Sequence, residues 1–137
     1  MDKPGEQISS DTKSTVRKDK SILLIDDDNT TCLLINEILS DFQVKITTIK
    51  NGKEAIEYME KEKETDLVII DIRLPDMSGF DVLKKLKTTN PAVPLIALTA
   101  WVNKQVKEIC LNSGFTAFIE KPIDIDFFLS VINKYIS

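Results

Sequence analysis

Polar residues stand behind four apolar runs of the sequence, and they are the first candidates for chemistry. Three aspartates at residues 26–28 follow the run ILLI, and Asp71 follows VII. Thr99 follows LIAL, and Lys121 is the second residue after the run AFI. Two carboxylates about 4 Å apart repel one another by about 4 kcal/mol at an effective dielectric constant of about 20, so carboxylates that converge require a cation. Cation binding is therefore a chemistry that these positions could share.

Each of these positions also has a purely structural explanation. Asp28 could cap the helix that follows it, and Asp71 could begin a turn. Thr99 could end a strand, and Lys121 could be an ordinary lysine exposed to water. All of them fall at the same end of predicted strands, which favours one shared site over several unrelated roles.

The composition excludes several classes of site. The chain contains no histidine, so a His-ligated zinc site, a catalytic Ser-His-Asp or Cys-His group and a histidine phosphocarrier are excluded within it. The formal charge of −4 and the sequence pI of about 4.9 argue against direct binding of nucleic acid or anionic lipid. Cys32 and Cys110 lie far apart in predicted helices, which fits reduced cysteines in apolar positions.

The chain length and its apolar content predict one domain. The 137 residues leave room for a single compact unit. Residues 1–20 carry few large apolar side chains and are predicted to form a flexible tail or linker, whereas residues 21–137 can bury one core. No apolar run approaches the roughly 18 residues of a membrane span, and the N-terminus is polar. We therefore expect a cytoplasmic protein without membrane contact.

Short apolar runs alternate with amphipathic segments throughout the predicted domain. The runs are residues 21–25, 44–49, 66–70, 94–98 and 116–119. Four of them are nearly continuous, which is typical of parallel strands covered on both faces. The segments between and after them repeat apolar residues at helical spacing. This order predicts an α/β fold with a doubly wound parallel sheet, (βα)5, whose ligands bind beyond the carboxyl ends of the strands.

The sequence resembles the receiver domain of two-component response regulators from residue 21 to residue 137. The resemblance is carried by ILLIDDD at residues 22–28, VIIDIRLPDMSGFDVL at 68–83, LIALTA at 95–100 and FIEKPI at 118–123. It implies a flavodoxin-like sheet with the strand order 2-1-3-4-5. In that order the first and third strands are neighbours about 4.8 Å apart, so carboxylates at their ends converge.

The resemblance also implies a role for each candidate residue. Asp71 is implied as the phosphoacceptor, and Phe118 stands at the position of the family's switch aromatic. The implied metal ligands are Asp26, Asp27, Asp71 and the backbone carbonyl of Arg73. The implied contacts of the phosphoryl group are Thr99, Lys121 and the backbone of Ala100. Oxygen ligands with room for water and phosphate suit Mg²⁺, and Mn²⁺ could replace it.

The implied function is signalling rather than enzymatic. Asp71 would take a phosphoryl group from a phosphohistidine of a histidine kinase or a histidine phosphotransfer domain. Phosphorylation would draw in the Thr99 hydroxyl and let Phe118 turn from a more exposed to a more buried position. The surface of the fourth helix, fifth strand and fifth helix would change, for a phosphorylation-dependent dimer or a protein target. A fixed core aromatic is the alternative for Phe118.

Two further expectations concern side chains around the implied site. Lys121 lies two strands from Asp71, roughly 10 Å, a gap that its side chain can close, and a cis peptide before Pro122 would aim it inward, as in most relatives. Trp101 and Arg73 occupy positions that, in this family, modulate how water reaches the acyl phosphate. Bulky Trp101 predicts slow hydrolysis, which Trp101→Ala would accelerate. Alternatively, Trp101 only covers the start of the fourth helix.

Three alternative functions were compared with this one. The DxDxT spacing from Asp26 to Thr30 also fits haloacid-dehalogenase-type phosphatases, with Asp28 as the acid/base, but their later acidic pair is missing and Asp71 would have no role. An EF-hand loop from Asp26 to Glu37 lacks the glycine required at its sixth position. A phosphorylation-independent interaction module is the third, and indifference to acetyl phosphate or beryllofluoride would reveal it.

The ends of the sequence bear on the context of the domain. The last predicted helix ends at Tyr135 or Ile136, with no output domain behind it. A start methionine in front of a polar spacer is typical of a boundary cut from a longer chain. We therefore expect the C-terminal receiver of a hybrid histidine kinase, in preference to a stand-alone receiver.

Overall fold

A computed structural model describes residues 19–100 and 103–136, which form alternating strands and helices. The elements are β1 (Lys20–Ile25), α1 (Asn29–Ile38), β2 (Val44–Ile49), α2 (Gly52–Lys61), β3 (Leu67–Asp71), α3 (Gly79–Thr89), β4 (Leu95–Thr99), α4 (Lys104–Ser113), β5 (Ala117–Glu120) and α5 (Ile125–Ile136). The predicted alternation is confirmed. The predicted tail falls almost entirely on residues 1–18, outside the described residues, so the division at residue 20 stays a prediction.

The five strands form one parallel sheet in the order β2-β1-β3-β4-β5. The order implied by the resemblance is therefore confirmed. β1 lies between β2 and β3, and its register pairs Ile25 with Ile49 on one side and with Ile70 on the other. The residues that follow these strands consequently emerge side by side at the carboxyl edge of the sheet.

Helices cover both faces of the sheet, as the nearly continuous apolar strands predict. α2, α3 and α4 pack on the face that Leu23 and Ile25 enter, and α1 and α5 pack on the face of Ile22 and Leu24. Complete burial of a Leu or Ile side chain contributes about 1.5–3 kcal/mol. The two faces together fix the sheet between its helices and so fix its carboxyl edge.

β2 has the predicted boundaries, and the other four strands differ from the predicted ones by one residue at one or both ends. β3 and β4 include Asp71 and Thr99, because these residues still pair with Leu98 and Glu120 of the neighbouring strands. Polar side chains at these two positions are therefore held by sheet backbone rather than by flexible loops. Among the described residues, no helix is long and apolar enough to cross a membrane.

Candidate functional site

Three carboxylates gather at the carboxyl edge of the sheet. Asp26, Asp27 and Asp71 each offer a carboxylate oxygen, and these oxygens all lie within 4.8 Å of one another. Asp26 and Asp71 are buried, and Asp27 is exposed. Asp26 and Asp71 converge because they directly follow Ile25 and Ile70, which are partners in the pairing of β1 with β3. The sequence-predicted acidic cluster is thus present as one cluster open to solvent on one side.

Backbone N–H groups orient the two buried carboxylates. Asp26 Oδ1 accepts a hydrogen bond from the Asp28 N–H at 2.9 Å, and Asp71 Oδ1 accepts one from the Arg73 N–H at 2.9 Å. Both contacts join a carboxylate to the residue two positions further along, which is a local turn. The second oxygen of each carboxylate is left to face its neighbour.

Lys121 lies between these two remaining oxygens. Its Nζ is 3.0 Å from Asp71 Oδ2, to which it donates a hydrogen bond, and 2.9 Å from Asp26 Oδ2. The Lys121 N–H donates to the Thr99 carbonyl at 2.9 Å, which ties the lysine to the end of β4, and the Lys121–Pro122 peptide is cis. The contact with Asp71 and the cis peptide agree with the expectations, whereas the ion pair with Asp26 was not predicted.

The buried charges shift the protonation of the cluster. Burial raises the pKa of Asp26 above its ordinary value, since desolvation outweighs the Asp28 N–H hydrogen bond and the nearby Lys121. Burial alone would lower the pKa of Lys121, but the carboxylates of Asp26 and Asp71 outweigh it and raise that pKa. Lys121 is therefore a permanent positive charge at neutral pH and cannot serve as a general base.

The cluster fits a hard divalent cation. Asp26 Oδ2 is buried and accepts no aligned hydrogen bond from the described residues, so its short approach to Lys121 is an ion pair only. A carboxylate oxygen in this state retains its capacity to bind a cation. Two further carboxylates lie within reach, and all the donors are oxygens, which suits Mg²⁺.

A cavity of about 270 Å³ adjoins the carboxylates. Its lining consists of predicted site residues, namely Asp71, Arg73, Thr99, Ala100 and Lys121. Thr99 is buried at the end of β4, and Ala100 is exposed where the backbone leaves the sheet. The cavity therefore places a carboxylate, a hydroxyl, an ammonium group and loop backbone around one space.

The two remaining predicted positions lie elsewhere or outside the described residues. Phe118 is only 7% exposed and packs in the core cluster that also contains residues of α4, a position that fits both a switch aromatic and a fixed core aromatic. Trp101 is outside the described residues, and its effect on hydrolysis stays a prediction.

Asp28 caps α1, as its structural explanation proposed. Its carboxylate accepts the Thr30 N–H at 3.1 Å and the Thr31 hydroxyl at 2.8 Å. The Thr31 hydrogen bond is the main cause that lowers the pKa of Asp28. A carboxylate held ionised in this way is poorly suited to act as the acid/base of a phosphatase.

Sequence reasoning missed how closely α3 approaches the acidic strand. A Cβ on Gly79 would lie 2.7 Å from the Asp71 carbonyl oxygen and 2.8 Å from Ile72 Cα, so only glycine fits there. The Gly79 N–H donates to the Ile72 carbonyl at 2.7 Å. The Ser78-Gly79 pair before an amphipathic segment is the sequence signal that could have revealed this contact, since Ser78 also caps α3.

Comparison with known proteins decides the family. The family model of the response regulator receiver domain matches residues 22–133, which include every carboxylate of the cluster and Lys121. The chain belongs to the response regulator receiver family. Receiver domains are signalling phosphoacceptors of two-component systems rather than classical enzymes, and in this receiver the acidic cluster is suited to Mg²⁺.

Similar proteins include both short and long chains. The polar-differentiation response regulator DivK of Brucella anthropi is 31% identical over 119 residues, which cover 85% of this chain and 96% of DivK. The transcriptional regulatory protein ZraR of Klebsiella oxytoca is 35% identical over 105 residues, which cover 77% of this chain and 24% of ZraR. This receiver therefore spans about a quarter of the length of the ZraR proteins it matches.

Solved structures show the same architecture. The receiver domain of a sensor histidine kinase from Pseudomonas aeruginosa, with a magnesium ion coordinated in its active site cleft, is 25% identical. It superposes with a TM-score of 0.76 over 85% of this chain and 97% of that one. The non-phosphorylated HemR receiver domain of Leptospira biflexa is 30% identical, with a TM-score of 0.76 over 86% and 94% of the two chains.

Proposed function

We propose that this receiver accepts a phosphoryl group on Asp71 from a phosphohistidine of a histidine kinase or a histidine phosphotransfer domain. The observation that carries the proposal is the convergence of Asp26, Asp27, Asp71 and Lys121 beside a cavity that Thr99 also lines. The chain has no histidine, so the phosphohistidine must come from a partner.

The residues that would hold Mg²⁺ are the three clustered aspartates and the backbone carbonyl of Arg73. Mn²⁺, which also prefers oxygen ligands, could take its place. A bound divalent cation supplies neutralising charge for the phosphoryl oxygens and for the clustered carboxylates. Because Asp27 is exposed and Asp26 and Asp71 are buried, the site can hold the ion and still leave one side open to water and to the phosphoryl group.

Phosphoryl transfer forms one bond and breaks another. A carboxylate oxygen of Asp71 attacks phosphorus, the P–N bond of the phosphohistidine breaks, and its electron pair leaves with the partner's imidazole. Lys121 Nζ, already 3.0 Å from Asp71 Oδ2, then donates to a phosphoryl oxygen. Backbone N–H at Ala100 and the Thr99 hydroxyl contribute the remaining donors around the cavity.

Phosphorylation of Asp71 would move Thr99, and this movement would change the surface of α4, β5 and α5. A phosphoryl group adds up to about two negative charges and strong acceptors, which attract the Thr99 hydroxyl. Phe118 is the residue that we expect to respond to the movement of Thr99. It lines a cavity of about 400 Å³ on that surface, together with Lys107 and Phe127. We propose this surface as the output face, for a second copy or for a protein target, without direct contact to nucleic acid.

Intact mass spectrometry after incubation with acetyl phosphate and Mg²⁺ tests the proposal. The parent chain should gain the mass of one phosphoryl group, and Asp71→Asn should gain none. A panel of phosphorylated histidine kinases and phosphotransfer domains then identifies the donor by transfer of label. If neither acetyl phosphate nor any member of the panel labels the parent chain, the domain is a phosphorylation-independent interaction module.

A further inference from the structure

The loop between β3 and α3 carries Arg73, whose backbone carbonyl is the proposed metal ligand. Its base is closed by backbone pairing and by one hydrogen bond from the backbone to a side chain. The Arg73 N–H donates to Asp71 Oδ1 at 2.9 Å, and Arg73 forms an antiparallel bridge with Ser78. The Gly79 N–H completes the closure by donating to the Ile72 carbonyl at 2.7 Å. These contacts leave residues 74–77 as the tip of the loop.

Asp76 joins the tip of this loop to the first turn of α2. Its Oδ1 accepts the Gly52 N–H at 2.8 Å, and its Oδ2 accepts the Lys53 N–H at 2.9 Å. The first N–H groups of a helix have no acceptor within the helix, and a negative charge there is favourable. Asn51 caps the same turn independently through the Glu54 N–H at 2.9 Å. Two side chains from different segments therefore share the N-terminus of α2.

The tip of the loop also packs directly on α2. A Cβ on Gly52 would lie 2.5 Å from Met77 Cγ and 2.9 Å from Val82 Cγ2, so the two segments are in van der Waals contact at that glycine. The hydrogen bonds of Asp76 lie next to this apolar contact. Together they hold the loop against α2, which is itself packed against the sheet.

Asp76 is exposed and does not line the phosphoryl cavity. The Gly52 and Lys53 hydrogen bonds lower its pKa, so the carboxylate is charged at neutral pH. The loop connects Asp76 directly to Arg73, three residues earlier in the chain.

We propose that Asp76 is a positioning residue, which holds the β3–α3 loop against α2 and thereby fixes the Arg73 carbonyl beside the clustered carboxylates. The inference rests on the proposed function, since it assigns Asp76 a role in metal binding there. Ligand-positioning residues outside the metal shell change metal affinity by about 10-fold or more when they are removed. We therefore expect Asp76→Ala to weaken Mg²⁺ binding about tenfold.

Isothermal titration with Mg²⁺ and amide hydrogen exchange of residues 72–78 together test this inference in the full chain. Asn51→Ala is the matched control, because it removes a cap from the same turn of α2 but leaves the hydrogen bonds between Asp76 and that turn in place. Asp76→Ala should weaken Mg²⁺ binding and speed exchange in the loop of the metal-free protein. Asn51→Ala should do neither. Asp76→Asn, which keeps one acceptor oxygen but loses the charge, should fall between the parent and Asp76→Ala.

The outcomes separate this inference from the proposed function. If the parent binds Mg²⁺ and Asp76→Ala binds it equally well, the positioning role is wrong and the proposed function is unaffected. Equal weakening by Asn51→Ala and Asp76→Ala would also overturn it, since the effect would then come from fraying of α2. If the parent itself binds no Mg²⁺, the proposed metal site fails, and the inference fails with it.

Discussion

Lys121 compensates the charge of two carboxylates at once. Its Nζ lies within 3.0 Å of both Asp26 Oδ2 and Asp71 Oδ2, and its side chain is only 14% exposed. Removal of one member of a buried charge group leaves the others uncompensated, which costs more than the intact group contributes. In the absence of a divalent cation, this lysine is therefore the main positive charge that offsets the repulsion between Asp26 and Asp71.

Lys121→Met should destabilise the metal-free protein by about 2 kcal/mol, because Asp26 and Asp71 then face each other without a cation between them. Mg²⁺ should restore more stability to Lys121→Met than it adds to the parent. Urea denaturation with and without Mg²⁺ measures both quantities. Lys84→Met, at an exposed position of α3, is the control and should change the free energy of unfolding very little. Equal effects of the two substitutions would contradict this account of Lys121.

Asp26→Asn should stabilise the metal-free protein at neutral pH and abolish its stabilisation by Mg²⁺. Burial raises the pKa of Asp26 in the folded state, so the ionised form opposes folding at any pH where it is populated. We expect a gain of about 1 kcal/mol, or about 4 °C in Tm.

The stability gained by Asp26→Asn should depend on pH. The gain from Asp26→Asn should shrink as the pH falls and vanish below about 3.8, the ordinary pKa of the group, because the carboxyl is then neutral in both states. Thermal unfolding at a series of pH values from about 3 to about 8 measures it. Asp27→Asn, at the exposed carboxylate of the cluster, should weaken Mg²⁺ binding without this gain. A loss of stability for Asp26→Asn at neutral pH would contradict the assignment.

At the scale of elements, the approach of α3 to β3 is a steric constraint that backbone atoms impose next to the site. Gly79→Ala would place a methyl group against backbone atoms of Asp71 and Ile72, which cannot yield without moving the end of β3. We expect a loss of about 2–3 kcal/mol and slower phosphorylation by acetyl phosphate.

Gly52→Ala is the matched comparison, because the atoms closest to its Cβ belong to the side chains of Met77 and Val82 rather than to backbone. It should cost about 1 kcal/mol. Urea denaturation ranks the two variants, and a larger cost for Gly52→Ala than for Gly79→Ala would show that the contact around Asp71 is not the constraint described above.

Helices and strands could be predicted where a short stretch of sequence determines them. Five apolar runs, four of them nearly continuous, indicated the strands, and their ends located Asp26, Asp71, Thr99 and Lys121 at one edge. The strand order came from the resemblance to receivers, because alternation alone does not order the strands. Strand ends were misplaced by one residue, since Asp71 and Thr99 are polar yet still pair within the sheet.

Contacts between distant segments could not be predicted in the same way. The ion pair of Lys121 with Asp26 depends on the path of a side chain across two strands. The contact of Asp76 with α2 joins an exposed carboxylate to backbone N–H groups more than twenty residues away, at Gly52 and Lys53. Every residue except proline has a backbone N–H, so the sequence does not show which N–H groups a distant carboxylate will bind. An aspartate after a proline indicates only a turn.

At the scale of the whole molecule, the sheet concentrates like charges in one place. The chain carries a formal charge of −4, and the buried part of its acidic cluster is held by β1 and β3, the innermost region of the fold. Any ligand that binds the folded state but not the unfolded chain stabilises the fold, by about 1.4 kcal/mol at roughly ten times its dissociation constant. The site and the stability of the domain are therefore coupled through the cation.

Titration of the ¹⁵N-labelled chain with Mg²⁺, followed by amide NMR, tests the central claim most directly. The account predicts saturable shifts that are largest for residues 26–28 and 71–73, and that are lost in Asp26→Asn. Peaks around this edge of the sheet that stay unmoved at saturating Mg²⁺ would contradict it.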